Sequence, residues 1–233
     1  MITLGIDLSS MPEGTAACSI SWNSNQAVVS APVVNCTDEK LDALISEANV
    51  IGIDAPFGWP EDFVSAVADW TADAWSKEGR NRFQFRATDR AVRDQVKRWP
   101  LSVSTDRIAL PAMRAMALLH RHGVIDRSGD GKFFEVYPAG SLYVWGLTCR
   151  GYKRLDEECF GLRSEILGKL VKKLPWLKVP AGYADSSDSL DALIASLTAR
   201  AAAQGLTTRP SLEQAAIAKR EGWIHLPTKL LEL

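Results

Sequence analysis

The chain reads as an α/β protein, a mixed five-stranded sheet of three antiparallel strands plus parallel strands, flanked by helices. Three observations carry that expectation. Two apolar runs, Ile2 to Asp7 and Val50 to Asp54, share one grammar: a buried-looking strand that ends on an aspartate. Between them lie two more β-rich runs and one amphipathic segment, so the order is strand, strand, strand, helix, strand. Helical periodicity dominates the remainder of the chain, interrupted by one short strand at Phe133 to Tyr137.

Each element has its own reason. ITLGID, Ile2 to Asp7, is the first strand. TAACSISW, Thr15 to Trp22, is the second, Asn23-Ser24-Asn25 is a turn, and Ala27 to Val34 is the third; connections this short make an antiparallel meander. In TDEKLDALISEA, Asp38 caps a helix in which Leu41, Leu44, Ile45 and Ala48 recur at helical spacing. Val50 to Asp54 is the fourth strand, apolar on both faces as a central parallel strand is. Pro56, Gly58 and Pro60 mark a loop, and Glu61 to Trp75 is amphipathic, with Phe63, Val64, Val67 and Trp70 on one face.

Residues 76–132 read as a large, mainly helical insertion, or cap, between strands four and five of a single domain spanning 1–233. Within it PAMRAMALLHRHG is a helix with Pro111 at its start and Gly123 past its end, Met113 and Met116 read as core, and DRSGDGK is a loop. FFEVY, Phe133 to Tyr137, is the fifth strand. Leu155 to Leu174 is a helix stopped by Pro175, Ser187 to Gln204 is the last long helix, and EGWIHLP is an edge strand or an extended tail. A right-handed crossover lays strand four parallel to strand one, with strand five beyond. Asp7 and Asp54 then sit at the same ends of neighbouring strands; adjacent strands lie about 4.8 Å apart, so the two carboxylates can share one cation.

Composition narrows the class. A chain of 233 residues is long enough for one full core. With 46% hydrophobic and 24% charged residues and a net charge of −1, it is expected to be soluble, with no global field that advertises nucleic acid. No uncharged apolar run approaches a membrane span, and no basic region precedes an apolar run at the N-terminus, so neither a membrane nor a secretory route is expected. Cys18, Cys36, Cys149 and Cys159 have no CxxC spacing, which suits a reducing cytoplasm better than a zinc knuckle or a disulfide scaffold.

The last helix adds to the acid pair. In SSDSLDALIASLTARAAAQ, Leu190, Leu193, Ile194 and Leu197 form one stripe. Another face carries Asp188, Asp191, Ala192, Ala195, Ala199 and Ala202, small residues running up to two aspartates three apart on one side. An alanine face lets a helix approach a sheet closely and present its aspartates to the strand ends. Glu135 on strand five is a further candidate. Each acid also has an ordinary reading: a strand-end acid for Asp7, an N-cap for Asp188, a dipole-favoured acid for Asp191, an ion-pair partner for Glu135.

An Asp on strand one, an acid ending strand four and a D-x-x-D opening the last helix resemble the ribonuclease H-like superfamily, and the helix pair is most similar to its RuvC-type resolvase branch. GIDLSS, IGIDAPFGWP, TDR, PLSVSTDRIALPAMR, EVYPAG and EGWIHLP also resemble the DUF429 family of predicted nucleases, over nearly the whole chain. The resemblance implies a two-metal phosphodiesterase. Asp7 would bridge two Mg²⁺ or Mn²⁺ ions roughly 3.5–4 Å apart, with Asp54 and Glu135 on one flank and Asp188 or Asp191 on the other. The segment interposed between strands four and five departs from ordinary resolvases, so their substrate choice does not transfer.

That segment has a phosphate-binding look of its own. Arg80, Arg82, Arg86, Arg90, Arg93, Lys97, Arg98 and Arg107 crowd it, with Phe83, Phe85 and Trp99 interleaved. If TDRAVRDQVKRW is a helix capped by Thr88, then Arg90, Arg93 and Lys97 share one face and Val92, Val96 and Trp99 the other. The expectation is a cap helix in which Arg86, Arg90, Arg93, Lys97 and Arg107 grip phosphates of a nucleic acid or nucleotide, with aromatics to stack bases. A solvated charged face and core aromatics are the plain alternative. Rival functions are a non-catalytic nucleic-acid or protein-binding module and a hydrolase of a small phosphate ester. An actin-like phosphotransferase needs a second lobe that this chain lacks the length to supply.

Overall fold

In a computed structural model, which describes residues 1–70, 79–129, 131–154 and 156–233, the meander forms as expected. β1 (Ile2–Asp7) pairs antiparallel with β2 (Ala16–Trp22), and β2 with β3 (Ala27–Val29). The expected third strand is cut in two. Pro32 has no N–H for a ladder, and beyond it β4 (Val33–Val34) returns to a different part of β2, beside Ala16 and Ala17.

β5 (Val50–Asp54) runs parallel to β1 with Gly5 opposite Gly52 and Asp7 opposite Asp54. β6 (Phe133–Val136) lies parallel to β5, pairing Ile53 with Glu135. Among the described residues three two-residue strands complete eight where five were expected: β4, β7 (Leu177–Lys178) beside β3, and β8 (Ile224–His225) beside β6. The order across the sheet is β7-β3-β2-β1-β5-β6-β8, with β4 on β2. EGWIHLP thus resolves as an edge strand.

Helices cover both faces. On one, α1 (Asp38–Glu47) and α5 (Ala109–Arg121) bury Leu41, Ile45, Ala115, Leu118 and Leu119 against Leu4, Ile6, Ile51 and Ile53. Thr37, rather than Asp38, caps α1 by accepting from Lys40 N, and Met113 and Met116 are exposed rather than core. On the other face, α8 (Ser187–Ala203) lies on the sheet with α7 (Glu157–Lys173) and α6 (Pro138–Val144) beside it. Beyond the sheet edge, α4 (Ala87–Val96) buries Val92 and Val96 against Ile224 and Leu226 of the β8 strand and its end. The remaining helices are short: α2 (Glu61–Asp69), α3 (Arg80–Gln84) and α9 (Ala215–Glu221). α2 stops at Trp70, whose φ of 50° is left-handed, and leaves Val64, Val67 and Trp70 exposed. The expected continuation of this helix to Trp75, the first residues of the insertion (76–78), Asp130 in the DRSGDGK loop and Leu155 lie outside the described residues.

The contact between α8 and the sheet decides where the aspartates meet. A Cβ on Gly5 would stand 2.0 Å from the Ala192 carbonyl oxygen, and one on Gly52 would stand 2.5 Å from that of Ala195. Two facing glycines therefore open a slot into which the alanine stripe sinks, backbone against backbone. Thr3 and Ser196 share a 2.8 Å hydrogen bond inside the contact. The N-terminal turns of α8 consequently arrive at the ends of β1 and β5.

Candidate active site

Side chains alternate across a strand, so residues two apart share a face. Gly5 and Gly52 face α8; Asp7 and Asp54, two residues on, face the same side and meet the helix start. There Asp191 is fully buried and Asp188 is half-buried. Asp7 and Asp54 thus stand side by side, with Asp191 buried next to them and Asp188 near enough to act on Asp7. Burial, then Asp191 and Asp54, then Asp188 push the Asp7 carboxyl well above its ordinary range, with Lys153 pulling the other way. Burial and the charges of Asp191 and Glu135 lift Asp54 to about 7, again against Lys153. Both keep some surface open to a cleft although they sit deep among protein atoms.

Glu135 lines the same cleft but reaches it from the other face of the sheet, for a reason of parity. Its register partner is Ile53, not Asp54, so it points to the opposite face, while Phe134 and Val136 pack on α8. On that side it meets Arg86. The guanidinium donates to Glu135 Oε1 and Oε2 at 2.7 and 2.9 Å, to both carboxylate oxygens of Asp89, and to the Glu221 carbonyl at 3.1 Å. Phe57 N also donates to Glu135. Burial raises the Glu135 carboxyl, with Arg86 drawing it down; burial opposes the Arg86 charge, and Asp89 and Glu135 more than offset it. Arg86, expected to grip phosphate, has its donors committed inside the protein. It ties the first turn of α4 to the sheet, and Glu221 reinforces the tie by accepting from Ala87 N and Glu61 N.

The other expected phosphate contacts lie on the outer side of the insertion. Arg90, Arg93, Lys97 and Arg107 are exposed. Arg90 donates to the Phe85 carbonyl, Arg93 pairs with Asp94 and lies over the Trp99 ring, and Lys97 reaches the Asp94 carbonyl. Val92 and Val96 are buried as the opposite stripe requires, but Thr88 is not the cap: its hydroxyl accepts from Ile224 N, and Arg86 stands at the N-cap. Phe85 and Trp99 stack on each other at 3.9 Å.

A cleft of about 470 Å³ opens over Asp7 and Asp54 and is lined by Arg98, Tyr137, Arg150 and Lys153. The last two belong to CRGYKR, between α6 and α7, which sequence reasoning passed over because it shows no periodicity. Its basic run was the available signal. Tyr152 is buried and donates to Asp191 Oδ1 at 2.8 Å. Burial and the charge of Asp191 raise the Tyr152 hydroxyl, so it stays a donor. Lys153 Nζ stands 2.6 Å from Asp191 Oδ2, a short charge-assisted contact in which the ammonium donates to the carboxylate. Burial works against the Lys153 charge, while Asp191, Asp54 and Asp7 together hold it firmly protonated. Buried Arg163 fixes the loop, donating to the carbonyls of Tyr152 and Arg154 and, on the segment before α8, of Ala184 and Asp185.

All these acids offer hard oxygen donors, the type that Mg²⁺ and Mn²⁺ take. Three carboxylates acting on one ammonium fit a cation site in chemistry. Among the described residues, however, no group of three or more acidic, His or Cys side chains is already gathered to hold a metal ion. No helix among them is long and apolar enough to cross a membrane, and all four cysteines are free. The profile of a family described as "Protein of unknown function (DUF429)" matches residues 5–215. No curated protein and no solved structure matches the chain.

Proposed function

The chain belongs to the DUF429 family, and on that premise we propose that the strand-end cleft is the active site of a divalent-metal-dependent phosphodiesterase that cleaves nucleic acid. We read the meander with its parallel strands, and α8 across them, as a ribonuclease H-like arrangement. The observation that carries the reading is that Asp7 and Asp54, from β1 and β5, line one cleft, while Asp191 of α8 is buried behind them and acts on both, and Asp188 acts on Asp7. Such like charges are costly to gather without a cation.

Asp7, Asp54 and Asp191 would hold Mg²⁺ or Mn²⁺, with Asp188 at the rim. Bound there, the ions supply Lewis-acid stabilisation of phosphoryl oxygens and acidify a water. The rest falls to the chain. Tyr152 orients Asp191 through its hydrogen bond to Oδ1. Arg98 and Arg150, exposed on the cleft wall, bind substrate phosphate. Arg86 and Glu135 brace that wall rather than touch the reacting atoms. A cytoplasmic setting suits the free cysteines.

The size of the cleft favours a second reading, hydrolysis of a nucleotide-sized phosphate ester, since about 470 Å³ accommodates a mononucleotide. A panel of DNA, RNA, nucleotide and simple ester substrates with Mg²⁺ and Mn²⁺ separates the two. Cleavage that needs the metal and falls at least about a hundredfold in Asp7→Asn and Asp54→Asn is the expected result. Undiminished cleavage by Asp7→Asn, with contaminating nuclease excluded, would overturn the mechanism.

A further inference from the structure

We propose that Lys153 is a tethered counter-cation of the acid cluster, which a divalent ion must displace and which then turns to the phosphate of the substrate. The inference rests on the proposed metal site and adds a residue that competes for it. Asp191 is 0% exposed, and its Oδ2 is met by the ammonium of the half-exposed Lys153 at 2.6 Å. A fully buried carboxylate needs a counter-charge at that oxygen, and a divalent ion can take the place the ammonium holds.

The Lys153 side chain is built to leave. It is 57% exposed, with its ammonium reaching in from the cleft on a flexible four-carbon stem. Its backbone does not need to move. Tyr152 is locked to Asp191 on one side, and Arg163 clamps the carbonyls of Tyr152 and Arg154 on either side of Lys153. The loop is thus a rigid base carrying one mobile charge. When the carboxylates take a divalent ion, the ammonium is repelled from them. The open part of the cleft, beside Arg98 and Arg150, is where it finds an anion, the substrate phosphate. Substrate binding then stabilises the displaced position, so metal and phosphate promote each other's binding.

The experiment is a thermal-shift titration with Mn²⁺ alone on the wild type, Lys153→Met and Lys153→Gln, the last two removing the charge with different shapes. Without the competitor, Mn²⁺ should bind roughly tenfold more tightly in both variants, a difference of about 1.4 kcal/mol. The same titration with added inorganic phosphate should tighten Mn²⁺ binding in the wild type and lose that gain in the variants. Wild-type binding of Mn²⁺ with unchanged or weaker binding in the folded variants overturns the role of Lys153 and leaves the metal site standing. Absence of a shift in all three proteins overturns both. Binding by the variants with none detectable in the wild type supports the competition in its strongest form.

Discussion

Arg86 has five N–H hydrogens, and five hydrogen bonds use them inside the protein, four to Asp89 and Glu135 and one to the Glu221 carbonyl. Removing such a side chain leaves two buried carboxylates without their counter-charge. Arg86→Met is therefore expected to destabilise the fold by about 3–5 kcal/mol, read from urea midpoints. Glu135→Gln separates a structural role from a ligand role: it should lower stability yet leave the Mn²⁺-induced shift of the melting temperature intact. Loss of that shift would return Glu135 to the metal set. At this scale the sequence was legible where periodicity fixes direction. Asp7 and Asp54 end equivalent strands, and Asp188 and Asp191 share one side of a helix, so their convergence could be read in advance. Glu135 was misplaced because one residue of register decides which face it occupies, and register is a property of the pairing, not of FFEVY. Lys153 and Tyr152 were passed over, since an irregular loop carries no period and its basic run alone does not say that Arg163 folds it back to α8.

The slot between α8 and the two central strands is the element that aims the site. Its requirement is stringent, because Gly5 and Gly52 face backbone oxygens rather than side chains that can rotate away. Gly52→Ala should cost about 1–3 kcal/mol, and Gly5→Ala at least as much, through outward displacement of α8. Both variants should also weaken Mn²⁺ binding, although neither removes a carboxylate. Normal Mn²⁺ binding in a destabilised Gly52→Ala would mean that helix placement does not set the cluster. LGID and IGID contain this information in plain view, and the alanine stripe was read as a sheet-facing surface from spacing alone. Legibility failed for elements too short for periodicity: β7 and the break that makes β4 a separate strand depend on a neighbouring strand offering an edge, while β8 was read only as an edge strand or a tail. The basic face of α4 was legible as a stripe, but its position outside the cleft depends on how Arg86 anchors the helix.

Stability of the whole molecule is tied to pH by groups at opposite places in the sheet. His225 on the edge strand is 3% exposed; its Nε2–H donates to the Ser128 carbonyl and its Nδ1 accepts from Thr207. Burial, with Arg209 adding to it, holds the ring down at about 4, against the Ser128 hydrogen bond; Asp126 and Lys219 line the same hollow. Between about 4 and 6.5 the unfolded chain binds the extra proton, so this contribution is complete above 6.5 and lost as the pH falls through that window. It amounts to about 3 kcal/mol. Asp54 works in the other direction, its raised carboxyl eroding stability as the pH climbs from about 4 towards 7. The difference between wild type and His225→Gln, followed across pH by denaturant unfolding, isolates the first effect: it should shrink by about 3 kcal/mol from pH 6.5 to 4. A pH-independent difference would show that the fold does not hold the ring below its ordinary range. The overall plan was legible because three long strands, one crossover helix and a final helix carry it. The central claim, that the gathered aspartates await a divalent ion, is tested most directly by thermal melts of wild type and Asp7→Asn at neutral pH, with and without Mn²⁺. Wild type should gain about 2.7 kcal/mol at a hundredfold excess of metal over its dissociation constant. Asp7→Asn should melt at or above wild type without metal, because it removes repulsion, and should lose most of the metal-induced gain. A wild type unmoved by millimolar Mn²⁺, with Asp7→Asn less stable than it, would contradict the account and make the acids a structural ion-pair network around Lys153.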